Sequence, residues 1–166
     1  MTFDFDRIVS TLSRHRVAYV LVGGTAAVAH GSTLPTEDVD ITPARGRRNL
    51  DHLADALREL GARIRMSNEP EGVEFPCDGG FLATIPLMLN LTTDAGDVDI
   101  TLAPAGFAAG YDALAPRAVE VDFGGVTVLI AALDDIITSK RAANRAKDKA
   151  ALPYLEALAE EIARGR

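Results

Sequence analysis

Cysteine occurs once in this chain, at Cys77, and tryptophan not at all. One thiol excludes an internal disulfide, and His15, His30 and His52 have no cysteine partners or spacing from which a structural zinc site could be assembled. Long apolar runs are missing too, since nothing approaches the roughly 18 consecutive residues of a membrane-spanning helix. Met1-Thr2-Phe3-Asp4 lacks the basic and then apolar start of a secretory signal, so the expectation is a cytoplasmic protein with no membrane partner. Positive charge is in deficit: 17 Lys and Arg stand against 24 Asp and Glu, and the resulting −7 excludes binding nucleic acid through overall charge. What is plentiful is apolar side chains, 48% of 166 residues, enough for one sizeable core.

Helix and strand signals alternate. Phe5, Ile8, Val9 and Leu12 recur at helical spacing over residues 3–15, and Ala18-Tyr19-Val20-Leu21-Val22 is a buried-strand run that stops at Gly23-Gly24. A short helix at 26–30, a strand at 38–42, a helix at 50–60 and a strand at 62–65 follow. Residues 67–80 have loop composition. Hairpins are expected around Asp94-Ala95-Gly96 (84–93 with 97–102) and Gly124-Gly125 (117–123 with 126–131), then helices at 132–143 and 147–164. Pro153 fits the last helix near its start or at a kink. The reading is one α/β (α+β) domain over 1–166, with a mixed sheet in a core of about 1–131 and C-terminal helices at about 132–166.

The pentapeptide Asp-Val-Asp-Ile-Thr occurs twice, at 38–42 and 97–101. In a strand the side chains alternate, so Asp38 and Asp40 share one face, Val39 and Ile41 take the other, and the second copy repeats the arrangement. Two carboxylates ~7 Å apart repel by roughly 2 kcal/mol at an effective dielectric near 20, and a divalent cation would reverse that sign. Acids on adjacent strands suit phosphoryl or nucleotidyl transfer, in which paired metals hold attacking and leaving oxygens. Asp99 is the preferred third ligand, because Val98 and Ile100 flank it as Val39 and Ile41 flank Asp40. Asp97 lies nearer the Gly96 turn.

Gly23-Gly24 follows a strand, where backbone amides can approach phosphate oxygens with no Cβ in the way. The order Val22-Gly23-Gly24, Gly31, Thr36, Asp38, Asp40 and a later Asp99 resembles the nucleotidyltransferase superfamily related to polymerase beta. It is most similar to bacterial abortive-infection (AbiEii-like) toxin-type nucleotidyltransferases, whose Gly-x-x-Arg-x-Thr-x-Asp-x-Asp appears here as Gly31 to Asp40 with Leu34 in place of the arginine. Asp135 to Asp148, with Lys140, Arg141, Lys147 and Asp148, is similar to the basic signature those proteins carry near their C-terminus. The resemblance implies the nucleotidyltransferase fold, a triphosphate held by Gly23, Gly24, Thr36 and Lys140, and Asp38, Asp40 and Asp99 as catalytic metal ligands. The implied cofactor is Mg²⁺, two ions, with Mn²⁺ as the alternative.

The decapeptide 140–149 carries +4, leaving −11 on the rest. Lys140 falls on the apolar stripe of Leu133, Ile136 and Ile137 and is expected to reach an anionic group, whereas Arg145 and Lys147 are expected in solvent or against Asp148. Two readings follow. One is a metal-dependent transferase that moves a nucleoside monophosphate from an NTP such as ATP to a hydroxyl of RNA, protein or a small molecule, as the toxin of a toxin–antitoxin pair with a cognate partner protein. The other is an inactive binding module or antitoxin on the same fold, which Leu34 favours.

Overall fold

A computed structural model describes residues 2–165. The chain opens with α1 (Phe5–Arg14), started by Asp4, whose carboxylate accepts a hydrogen bond from the Arg7 backbone N–H at 3.0 Å. Strand β1 (Tyr19–Val22), helix α2 (Gly23–Ala29), strand β2 (Asp38–Pro43) and helix α3 (Arg47–Glu59) follow. Next come the strands β3 (Arg63–Met66) and β4 (Glu69–Val73), the short helix α4 (Gly79–Ala83) and the strands β5 (Met88–Thr93) and β6 (Gly96–Thr101). The last third contains α5 (Tyr111–Leu114) with a 3₁₀ turn, β7 (Val119–Phe123), β8 (Val126–Ile130), α6 (Leu133–Ala143) and α7 (Ala146–Arg164).

All eight strands form one mixed sheet in the order β4-β3-β5-β6-β2-β1-β8-β7. β2 and β6 are parallel, as are β1 and β8, and the remaining pairs are antiparallel. Val39, Ile41, Val98, Ile100, Leu89 and Leu91 are all buried and join a single cluster with Ile8 and Leu12 of α1 and Leu50, Leu53 and Leu57 of α3. This packing leaves the alternate strand positions, polar in β2 and β6, facing away from that cluster. No helix among the described residues is long and apolar enough to cross a membrane.

Three expectations are corrected. Residues 67–80 are not all loop. Glu69–Val73 forms β4, an edge strand paired with β3, and Gly79 starts α4 behind the Asp78 cap. Strand β5 begins at Met88 rather than 84, because α4 takes up residues as far as Ala83 and a turn follows. Pro153 lies eight residues into α7 and the helix runs through it, exposed, so water can reach the Lys149 carbonyl that the proline cannot serve. The burial pattern gives a direct test. Leu53→Ala, at a fully buried position, should lower unfolding free energy by about 3 kcal/mol in urea denaturation, while Leu87→Ala, 68% exposed, should change it by less than about 0.5 kcal/mol.

Candidate active site

The two copies of Asp-Val-Asp-Ile-Thr are neighbours in the sheet, parallel and in register: Asp38 pairs with Asp97, Val39 with Val98, Asp40 with Asp99 and Ile41 with Ile100. Residues opposite each other point the same way, so the repeat sets four carboxyl groups on one patch of sheet surface. Of these, Asp38, Asp40 and Asp99 bring ligand oxygens within 4.8 Å of one another. Asp97 is not one of this trio, and its carboxylate pairs with Arg65.

Gly23 and Gly24, expected as a turn before a helix at 26–30, are instead the first residues of α2 and lie against this group. Gly23 has φ +68°, and a Cβ there would lie 2.2 Å from Asp40 Oδ2, so both backbone and space require glycine. At Gly24 a Cβ would meet Thr36 Oγ1 at 2.9 Å. Thr25 Oγ1 donates to the Asp38 carbonyl at 2.6 Å, which ties the turn to β2. Thr36 Oγ1 is 3.4 Å from both the Asp38 carbonyl and Asp38 Oδ1. Burial, with repulsion from Asp38 and Asp99, pushes the Asp40 carboxyl up to about 7. Burial and the Asp99 charge push Asp38 up as well. All-oxygen donors at this spacing, disfavoured as anions and packed against a glycine, fit a hard divalent cation.

The positive charges around the acids come from distant parts of the chain. Arg65 on β3 lies 2.8 Å from Asp99 Oδ1 and 3.2 Å from Asp97 Oδ2, and donates to the Leu91 carbonyl at 3.0 Å. Sequence reasoning missed Arg65: its partners are 32 and 34 positions away and nothing local marks it. Lys140 is largely buried, as its stripe position implied, and the anion it meets is Asp148, 3.6 Å from its Nζ. Asp148 is fully buried and also holds Arg145 through the side-chain Nε (2.7 Å) and the backbone N–H (3.1 Å), as expected for Arg145. Burial would raise the Asp148 carboxyl, but the Arg145 hydrogen bonds and the Lys140 charge hold it below its ordinary value. Lys147 is not paired with Asp148 among the described residues; its charge acts on Asp38 and Asp40 instead.

Every residue singled out from the sequence, Gly23, Gly24, Thr36, Asp38, Asp40, Asp99 and Lys140, lines one cleft of about 1450 Å³. Arg145, Lys147 and Arg65 line it too. Leu34 lines a second cavity of about 110 Å³ with Ala27, Ala151 and Leu155, which Ser32 and Lys140 also border.

Comparison with known proteins locates this architecture. No protein-family model matches the chain, nor does the sequence of any curated protein. Among solved structures, the lincosamide antibiotic adenylyltransferase LnuA in its lincomycin-bound form superposes with a TM-score of 0.61 at 12% identity, covering 95% of this chain and 99% of LnuA. The fold is that of the nucleotidyltransferases. ANT(2″)-Ia in complex with adenylyl-2″-tobramycin agrees, with a TM-score of 0.53 at 15% identity over 96% of this chain and 95% of that one. A solution structure of the same resistance factor gives 0.54 at 17% identity.

The Asp40 environment generates a pH prediction. The folded state keeps this carboxyl protonated to about pH 7, whereas in the unfolded chain it ionises near 3.8. Between those values the folded state holds more protons, so metal-free stability should fall as pH rises from about 4 to about 7. Asp40→Asn removes that loss, and its melting temperature in EDTA should exceed wild type at pH 8, by on the order of 3 kcal/mol in stability, and match it near pH 4. A variant less stable than wild type at pH 8 would make Asp40 a structural acid.

Proposed function

We propose that this chain is a metal-dependent nucleotidyltransferase that moves a nucleoside monophosphate from an NTP to a hydroxyl acceptor, releasing pyrophosphate. The observation that carries this is the convergence of Asp38, Asp40 and Asp99 within 4.8 Å under the Gly23-Gly24 turn. Agreement in fold with LnuA and ANT(2″)-Ia, over nearly the whole of each chain, supports it. In this reading Asp38 and Asp40 hold two divalent ions, Mg²⁺ or Mn²⁺, and Asp99 holds one of them and orients the acceptor hydroxyl. The ions supply charge neutralisation of the triphosphate and of the charge that builds during transfer. Gly23 and Gly24 offer backbone N–H groups to phosphate oxygens, Thr36 steadies that turn, and Lys140 reaches the phosphates from α6 with Asp148 fixing its position.

A small hydroxylated molecule is the acceptor class best supported, by analogy with the lincomycin bound to LnuA and the adenylyl-2″-tobramycin bound to ANT(2″)-Ia. The toxin-type version, with ATP or another NTP, a cognate antitoxin protein and the cytoplasm as its setting, rests on the Gly31–Asp40 and Asp135–Asp148 motifs. The second reading, an inactive binding module, draws on Leu34, which stands where the motif has an arginine and packs near Ala27, Ala151 and Leu155.

Incubation with Mg²⁺ and α-labelled NTPs in the presence of acceptor pools tests the proposal by pyrophosphate release and label transfer. Asp99→Ala should abolish turnover, while Asp97→Ala, whose carboxylate pairs with Arg65 outside the trio, should keep most of it. Lys140→Met should weaken NTP binding by about tenfold or more, and Arg145→Met by less, because the Lys140 side chain is largely buried in the cleft whereas that of Arg145 is half exposed and held by Asp148. Nucleotide binding without turnover for every NTP and pool would establish the binding module.

A further inference from the structure

Three of the large apolar side chains left in solvent line one cleft. Met66, Leu87 and Met88 are 46%, 68% and 45% exposed, and all three line the cleft that holds the carboxylates. They stand on one side of it. Met66 follows Arg65 at the end of β3, and Met88 opens β5 opposite Thr101, two residues beyond Asp99 on the same face of β6. Thr101 therefore lies ~7 Å from Asp99 along the strand, with Met88 beside it. The basic side chains Lys140, Arg145 and Lys147 belong to the opposite wall, built from α6 and α7.

Arg65, the basic side chain on the Met66 and Met88 side, is engaged by Asp97 and Asp99, so it is not available to a polyanion. We infer that the acceptor is a small molecule whose hydroxyl is carried on a largely apolar body, seated against Met66, Leu87 and Met88. This rests on the transferase reading. The acceptor oxygen forms a bond to the α-phosphorus, the α–β anhydride bond breaks, pyrophosphate leaves with the electron pair, and the hydroxyl proton passes to solvent.

The chain has three methionines, Met1, Met66 and Met88, so ¹³C-methyl labelling gives a spectrum in which two of three signals report on this wall. Wild type is loaded with Mg²⁺ and a non-hydrolysable ATP analogue, whose binding is measured separately by calorimetry. It is then titrated with lincomycin and 1-octanol as apolar-bodied alcohols, tobramycin as a polycation and a short RNA as a polyanion. At least one of the two alcohols should shift the Met66 and Met88 methyls, and tobramycin and RNA should leave them in place. Leu87→Glu should weaken binding of that alcohol by about tenfold and change analogue affinity by less than about twofold. Failure of the analogue to bind would remove the transferase reading. Analogue binding with neither alcohol moving the methyls, with tobramycin or RNA moving them instead, or with Leu87→Glu without effect on the alcohol, overturns the acceptor inference alone.

Discussion

The site depends on one pairing, the alignment of β2 with β6. Because strand side chains alternate with period two, the in-register match of two identical pentapeptides is an all-or-none device. It buries Val39, Ile41, Val98 and Ile100 together, each worth roughly 2 kcal/mol. A slip of one residue in either strand would turn its two carboxyl groups into that apolar layer. The hydrophobic side of the strands therefore enforces the crowding of charge on the polar side, against an electrostatic cost that the acids alone could not overcome.

The surroundings read as answers to that crowding. Glycine at position 23 lets the chain pass beside Asp40 where any side chain would collide. Arg65 takes the outer oxygens of Asp97 and Asp99, and Lys147 opposes the charge on Asp38 and Asp40 from the far wall. Asp148 plays the complementary part, gathering Lys140 and Arg145 at the junction of α6 and α7, where Asn144 adopts φ +54°. Excess negative charge in one half of the cleft and organised positive charge in the other leave room for a polyphosphate between them.

The acid trio was legible in the sequence because the repeat encodes both faces of each strand, and Gly23-Gly24 because it ends a buried strand in a fixed order ahead of Gly31, Thr36, Asp38 and Asp40. Helix α3 was visible from the leucine spacing at 50, 53, 57 and 60. β4 was hidden: Glu69-Pro70-Glu71-Gly72-Val73 has no apolar alternation, since an edge strand exposed on its surface buries almost nothing, and Gly72 at φ +76° looks like a turn. Arg65 was hidden for a different reason. Its role exists only once β3 is set beside β5, a long-range pairing that no local pattern records. Lys140 was found by helical periodicity, but its buried partner Asp148 lies across a helix break and emerges only from the tertiary packing.

The two strands that end the sheet, β4 and β7, carry Glu69, Pro70 and Glu71 on one side and Glu120 and Asp122 on the other. A proline has no amide to offer an incoming strand, and rows of like charge repel their counterparts on another copy. Both rims of the eight-stranded sheet thus resist being extended by a neighbouring molecule. A chain with nearly half its residues apolar thereby keeps its backbone ladder finite.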